Sequence, residues 1–245
     1  MLSQRDLERY SRQIMLDDLG EKGQERLKRA KIFIAGCGGL GSPVALYLAA
    51  AGMGEIRIVD SDRVETSNLN RQVLHWDGDV GGSKADSAAE KLHKLNGEIR
   101  IETIKEVIDE SNINNFVAGF DGIVDAMDNM PTRYLLNRAA IENNIPLFHG
   151  AVQGFEGRAL TVIPGQTACL WCLYQGSVPP QEKFPVIGVT PAVIGCIQAN
   201  EAIKHIAGIG KLLANRLLIY DGLDLQFTEI EVPRDPYCRQ CGKSA

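Results

Sequence analysis

The chain has 245 residues, 44% hydrophobic and 23% charged, with a net charge of −5; at roughly 150 residues per domain this predicts one large domain, or one with an appendage. The acidic balance gives no bulk attraction to nucleic acid or to an anionic membrane surface, so neither is expected as a partner. The opening residues are charged throughout, unlike a signal peptide, and the longest apolar run, 43–53, is far short of the ~20 residues that span a bilayer, so a cytoplasmic location is expected.

Residues 1–30 mix charges with Leu7, Tyr10, Ile14, Leu16 and Leu27, and "SQRD" carries a capping-box pattern at Ser3 and Asp6, which predicts short helices outside the main sheet. "KIFIAG" reads as a continuous apolar strand. It runs into "IAGCGGLGS", a helix over 43–51 and a second strand, "EIRIVD", ending at Asp60: a βαβ unit. "SKADSAAEKLHKL" puts Ala85, Ala88, Ala89, Leu92 and Leu95 on one helical face. "IRIETI" and "DGIVDAMD" read as strands, "TRYLLNRAAIENN" as a helix and "PLFHGAV" as a further strand. From residue 158 onward, "RALTVIP", "RLLIYDGL" and "FTEIEVP" alternate as antiparallel strands do, around the apolar helix "PAVIGCIQANEAIKHIAG". The expected fold is α/β, a Rossmann-like mixed sheet, parallel in its first half and antiparallel in its second, flanked by helices. Three segments are expected within it: a helical extension (1–30), a nucleotide-binding region (31–165) and a metal-pinned C-terminal region of the same domain (166–245). Residues 174–190 hold three prolines with little periodicity and predict a long mobile loop.

Gly36, Gly38 and Gly41 satisfy G-x-G-x-x-G, with Gly39 beside them, and Asp60 lies 19 residues beyond Gly41, where a ribose-binding acid belongs. Taken alone, that pattern suggests a redox dinucleotide. The adjoining segment, "DSDRVETSNLNRQVL", adds Asp62, Asn68, Arg71 and Gln72, with Lys84 at the start of the next helix; two cations and two amides around a glycine loop suit a triphosphate better. A solvated charged loop is the bland alternative. Asp128, next to Asn129, closes "GIVDAMD" and is expected in the same crevice, where a carboxylate beside phosphates holds Mg²⁺. Asp125 would be the structural member of the pair, and a helix-capping role for Asp128 stands as the alternative.

Cys169, Cys172, Cys238 and Cys241 form two Cys-x-x-Cys pairs separated by 65 residues, a complete tetrahedral set for a structural Zn²⁺, with redox pairs or free thiols as the alternative. Cys37, inside the glycine loop, reads as a small residue tucked against the sheet, and Cys196 as a packed helical residue. The four histidines show no metal-like spacing.

Together "RYSRQI", "GCGGLGS", "VDSDRVETSNLNRQ", "GGSKA", "DAMDN" and the two cysteine pairs resemble the E1-like superfamily of MoeB, ThiF and HesA proteins, similar to the adenylation domain of ubiquitin-activating enzymes, over residues 5 to 242. The resemblance implies a homodimer that uses Mg-ATP to adenylate the C-terminal Gly-Gly carboxylate of a small ubiquitin-like sulfur carrier, as in molybdopterin or thiamin biosynthesis. It places Gly36, Gly38, Gly39 and Gly41 on the phosphates and Asp60 on the ribose. Asn68, Arg71 and Lys84 go to the triphosphate with Gln72 nearby, and Asp128 to Mg²⁺. Arg12, from the 1–30 extension packed on the partner subunit, would reach into that subunit's site. Relatives that proceed to thiol chemistry carry a cysteine in the loop after the first zinc pair. Here no cysteine lies between Cys172 and Cys196, so adenylation without a loop-cysteine adduct is expected, with sulfur delivered by a sulfurtransferase or cysteine desulfurase. Three other readings stand beside it: adenylation of a peptide C-terminus or a tRNA-linked carboxylate, a nucleotide-binding scaffold without turnover, and an NAD-dependent oxidoreductase.

Overall fold

The computed structural model describes residues 1–177 and 184–242. Its centre is one eight-stranded sheet in the order β3-β2-β1-β4-β5-β6-β7-β8. Strands β1 (Lys31–Ala35), β2 (Glu55–Val59), β3 (Arg100–Ile104), β4 (Gly122–Asp125) and β5 (Leu147–Gln153) run parallel. β6 (Glu156–Val162), β7 (Arg216–Asp221) and β8 (Gln226–Glu231) continue the sheet antiparallel from β5. The expected change of direction is therefore present, and it falls at the β5–β6 hairpin.

The helices are α1 (Gln4–Arg9), α2 (Ser11–Ile14), α3 (Gly20–Arg29), α4 (Gly41–Ala51), α5 (Lys84–Leu95), α6 (Ile113–Val117), α7 (Met130–Glu142), α8 (Leu170–Tyr174) and α9 (Val189–Ala207). Alternation along β1 assigns them to two layers. Ile32 and Ile34 join Leu27 of α3, Val44 and Leu48 of α4, Leu92 of α5 and Ala199 of α9 on one face. Phe33 and Ala35 join Ile113 of α6, Leu136 and Ala140 of α7, and Leu170 of α8 on the other. Successive strand residues point to opposite faces, so a strand covered by helices on both sides must be apolar at every position, and the β1 residues from Ile32 to Ala35 are all buried.

One expectation needs correction. Leu95, predicted on the apolar face of α5, is exposed at the last residue of the helix, and Lys84, Ser87 and Lys91 are buried. The N-terminal extension is tied to its own subunit at several points. Leu27 and Gln24 are buried, Gln24 Nε2 donates to the Ala51 carbonyl at 2.9 Å, and the Tyr10 hydroxyl accepts from Asn96 Nδ2 at 2.9 Å. The Ser3–Asp6 capping box forms as expected, and Lys28 ion-pairs with Asp6.

Of the segment predicted to be a mobile loop, residues 178–183 lie outside the described residues. Its described flanks are held. Tyr134 donates its hydroxyl to the Ser177 carbonyl at 3.1 Å, Gly154 N–H donates to Pro185 O at 2.7 Å, and α9 begins at Val189. Among the described residues no helix is long and apolar enough to cross a membrane.

Candidate active site

The chain leaves β1 to build β2 and β3 on one side, then returns to place β4 on the other, so β1 and β4 flank a topological switch point. In open α/β sheets the crevice at the carboxyl ends of such strands receives ligands. Both the glycine loop and the turn after Asp125 open there.

The loop is shaped by close backbone contacts. Gly36 has φ +88°, and a Cβ there would lie 3.0 Å from the Ala126 carbonyl. At Gly41 a Cβ would sit 2.0 Å from the Gly36 carbonyl oxygen, so only glycine lets α4 start this close to β1. Side chains at Gly38 and Gly39 would fill the space in front of Gln72 Nε2 and Pro191, the latter from the first turn of α9. Ser42 N–H is satisfied by Gly38 O at 2.9 Å, but the N–H groups of Gly38, Gly39 and Leu40 donate to no group among the described residues. Three unpartnered donors at the N-terminus of an eleven-residue helix make an anion-binding concavity.

Asp60, one residue past β2, accepts from Cys37 N–H at 2.9 Å through Oδ2 and from Asp62 N–H at 2.9 Å through Oδ1. Oδ2 also accepts from the Cys37 thiol at 3.4 Å, so Oδ1 keeps the lone pair that suits a ribose hydroxyl. Cys37 is buried, as expected, and burial together with the Asp60 charge pushes its thiol well up. Cys196, expected to be packed, is only half-buried.

The basic residues gather on the next segment. Lys84, at the start of α5, pairs with Asp62 at 2.8 Å, and Asp62, Arg63, Glu65, Asn68 and Lys84 line a cavity of about 190 Å³. Lys84 is buried while Asp62 is two-thirds exposed, so an incoming anion can take over the lysine while the aspartate swings to water. Arg71 donates to Ser67 O at 2.8 Å and Asn70 Oδ1 at 3.0 Å, and its stem runs beside Gly39. Gln72 is buried, and its Oε1 has no partner. A buried acceptor without a donor is costly, and a bound ligand donor would satisfy it.

β4 ends at Asp125, three residues before Asp128, which shifts the predicted roles. Asp128 is exposed in the turn after the strand and makes no hydrogen bond among the described residues, so its carboxylate is free. The cap of α7 is Asn129, whose Oδ1 accepts from Thr132 N–H at 3.0 Å, so Asp128 is not the cap. Arg12, on α2, is exposed and has no hydrogen bond or ion pair among the described residues; nothing in this chain draws it into the cluster.

Away from the crevice, the four cysteines converge. Cys169–Cys238, Cys172–Cys241 and Cys169–Cys172 sulfurs lie 3.6, 3.5 and 3.9 Å apart, and all four ligand atoms fall within 4.8 Å of one another. A Zn²⁺ with four sulfurs at ~2.3 Å requires edges of about 3.8 Å, so the donor set fits, whereas a disulfide needs ~2.05 Å. Burial pushes the Cys169 thiol well up and Cys241 to about 11; a bound cation would supply the charge that four thiolates need. Asn137 of α7 clamps both knuckles. Its Oδ1 accepts from Leu170 N–H at 2.9 Å and its Nδ2 donates to Gln240.

Sequence reading missed Asn137, Pro191 and a buried Asp125–His149–Tyr174 chain. Each acts through a partner far away in sequence, and none has a local pattern.

The ThiF family profile matches residues 10–240, and the chain belongs to that family. Among curated proteins it is 46% identical to the SAMP-activating enzyme E1 of Haloferax volcanii, over 97% of this chain and 89% of that protein. It is 44% identical to the sulfur carrier protein adenylyltransferase of Thermus thermophilus, over 97% and 91%. The mouse adenylyltransferase and sulfurtransferase MOCS3 is 41% identical over 99% of this chain, which spans 54% of it. Among solved structures, E. coli MccB with MccA-N7isoASN superposes with a TM-score of 0.87 at 28% identity, covering 96% of this chain and 75% of that one.

Proposed function

We propose that this chain is an E1-like adenylyltransferase that activates the C-terminal glycine carboxylate of a small ubiquitin-like sulfur carrier with ATP. The observation that carries this reading is the glycine loop: three free N–H donors in front of a helix, ringed by Lys84, Arg71 and the unsatisfied Gln72. The names of the Haloferax and Thermus relatives supply the substrate class.

In the reaction a carrier carboxylate oxygen forms a bond to the α-phosphorus, the bond from that phosphorus to the bridging oxygen breaks, and pyrophosphate leaves. The nucleophile belongs to the carrier, so the protein need only position two anions and offset charge developing on phosphoryl oxygens. The loop N–H groups and the cations Lys84 and Arg71 do this, with Asp60 on the ribose and Asn68 beside the phosphates. Asp128 has the free carboxylate that would hold Mg²⁺, whose charge would neutralise the departing pyrophosphate. The four cysteines would hold a structural Zn²⁺. An oxidoreductase reading leaves Arg71, Lys84 and Asp128 without a task.

The active form is proposed to be a homodimer in which Arg12, free on its own subunit, completes the partner's site. Sulfur is proposed to come from a separate sulfurtransferase or cysteine desulfurase, because no cysteine lies between Cys172 and Cys196. A cytoplasmic location fits that chemistry. The direct test is mass spectrometry of a Gly-Gly-ending carrier after incubation with this protein and Mg-ATP. An added AMP on the carrier C-terminus is expected and its absence would contradict the reading; a carrier bound covalently to a cysteine of this protein other than Cys37 or Cys196 would contradict sulfur delivery by a separate protein.

A further inference from the structure

Behind the crevice runs a hydrogen-bonded chain with no evident stabilising necessity. Asp125, at the end of β4, and His149, its neighbour in the β4–β5 register, are both fully buried. Asp125 Oδ2 and His149 Nδ1 are 2.6 Å apart, and His149 Nε2 lies 3.1 Å from the Tyr174 hydroxyl, with the two rings edge to face. Burial, outweighing the nearby Asp125 carboxylate, holds the imidazole below its ordinary pKa. An ionised carboxylate only accepts, so Nδ1–H donates to Asp125, and in that tautomer of the neutral ring Nε2 accepts from the Tyr174 hydroxyl.

The other Asp125 oxygen, Oδ1, accepts from Met127 N–H at 3.1 Å, inside the turn that carries Asp128. Arg133 braces the same turn, donating to Met127 O at 2.6 Å and Gly150 O at 3.1 Å. Gln198 of α9 donates to the Asp125 carbonyl at 2.8 Å. At the far end, Tyr174 is the last residue of α8, the helix that carries Cys172. Burying a carboxylate and an imidazole is expensive, and an apolar pair would pack more cheaply; what the polar pair adds is a defined orientation.

We propose that Tyr174 and His149 are positioning residues that act through Asp125 to fix the turn bearing Asp128, tying the geometry of the adenylation site to the cysteine knuckle. This rests on the proposed role of Asp128 at the metal–phosphate end of the site. The chain's role is orientation, with no proton moved during the reaction.

The test uses the full-length protein with Tyr174→Phe, which removes one hydroxyl and keeps the ring. His149→Asn is the second variant; it retains an N–H near the Nδ1 position for Asp125 and drops the link to Tyr174. Mn²⁺ affinity is measured in the presence of a non-hydrolysable ATP analogue, and kcat and the KM for ATP in carrier-dependent pyrophosphate exchange. Either variant should weaken Mn²⁺ and lower kcat roughly tenfold, the low end for loss of an outer hydrogen-bond partner, with the KM for ATP within about twofold. In an Asp128→Asn background Tyr174→Phe should change Mn²⁺ affinity no further, since the two act in series. Wild-type Mn²⁺ affinity in both variants, or an equal loss with and without Asp128, would overturn the proposal. Failure of the wild-type protein to catalyse exchange would count against the adenylation reading, and the Mn²⁺ measurements would still decide the relay.

Discussion

In the parallel half of the sheet, β1, β2 and β4 are covered by helices on both faces, and the residues that carry chemistry stand in turns beyond the strand ends. In the antiparallel half, β8 is an edge with all six residues exposed, and the C-terminal segment after it is secured by the cysteine knuckle packed against α7 and α8. The first half is held by burial and shaped by glycine; the second uses a metal-type cluster where the core thins. Nucleotide binding and local stability are thus built by different means in the two halves, linked through the Tyr174–His149–Asp125 chain, so loss of the cluster should leave the nucleotide pocket in place.

Gly41→Ala strikes the parallel half hardest. Its Cβ would lie 2.0 Å from a backbone oxygen, so β1 and α4 must part. Urea unfolding should show a loss of more than about 3 kcal/mol, and calorimetry should show no ATP binding. A variant as stable as the wild type would mean the close approach is not real.

Cys241→Ser addresses the other half. Zinc content by atomic absorption should fall from one ion per chain to none, and the midpoint of thermal unfolding should drop by roughly 5 °C or more. ATP affinity should stay within a few-fold, since the glycine loop, Lys84 and Arg71 make no hydrogen bond to the cluster among the described residues, while the Tyr174–His149–Asp125 chain would carry a loss to Mn²⁺ affinity and kcat. Loss of ATP binding of the same size would show that the nucleotide pocket is not independent of the cluster.

That independence bears on what was legible in the sequence. The parallel half could be read because double-sided burial forces continuous apolar runs such as "KIFIA", and because G-x-G-x-x-G needs its glycines at fixed positions. The cysteine cluster could be read because its ligands come in spaced pairs. α6 and α8, five residues each, were not legible: elements that short carry no periodicity. Assigning the end of β4 to Asp128 instead of Asp125 had the same origin, since apolar residues continue through Met127 although strand pairing stops. The His149 chain joins residues 24 and 25 positions apart, a relation set by the β4–β5 pairing and by where α8 packs.

Arg71→Ala separates the site from the fold. Arg71 hydrogen-bonds only within its own exposed segment among the described residues, so the unfolding midpoint should move by less than about 2 °C while the exchange rate falls roughly 100-fold. A large stability change would place Arg71 in the scaffold.

The smallest effect lies in the N-terminal extension. Burial works against the Asp6 charge, but hydrogen bonds from Lys28 and Ser3 outweigh it and hold its pKa at about 2. The folded pKa lies below the unfolded value of about 3.9, so the stabilisation is present above pH 4 and lost as pH falls toward 2. Asp6→Asn should cost about 1–2 kcal/mol in urea unfolding at pH 7, and the gap from wild type should close near pH 2. A gap independent of pH would assign the effect to the capping bond instead.

Whether the glycine loop holds an ATP that is cleaved between its α- and β-phosphates is tested most directly by ATP–pyrophosphate exchange. The purified protein is assayed with and without a carrier ending in Gly-Gly, with Arg71→Ala and Asp128→Ala alongside. Exchange that requires the carrier and disappears in both variants is the predicted result. ATP binding without exchange for any such carrier would contradict it and leave a nucleotide-binding scaffold.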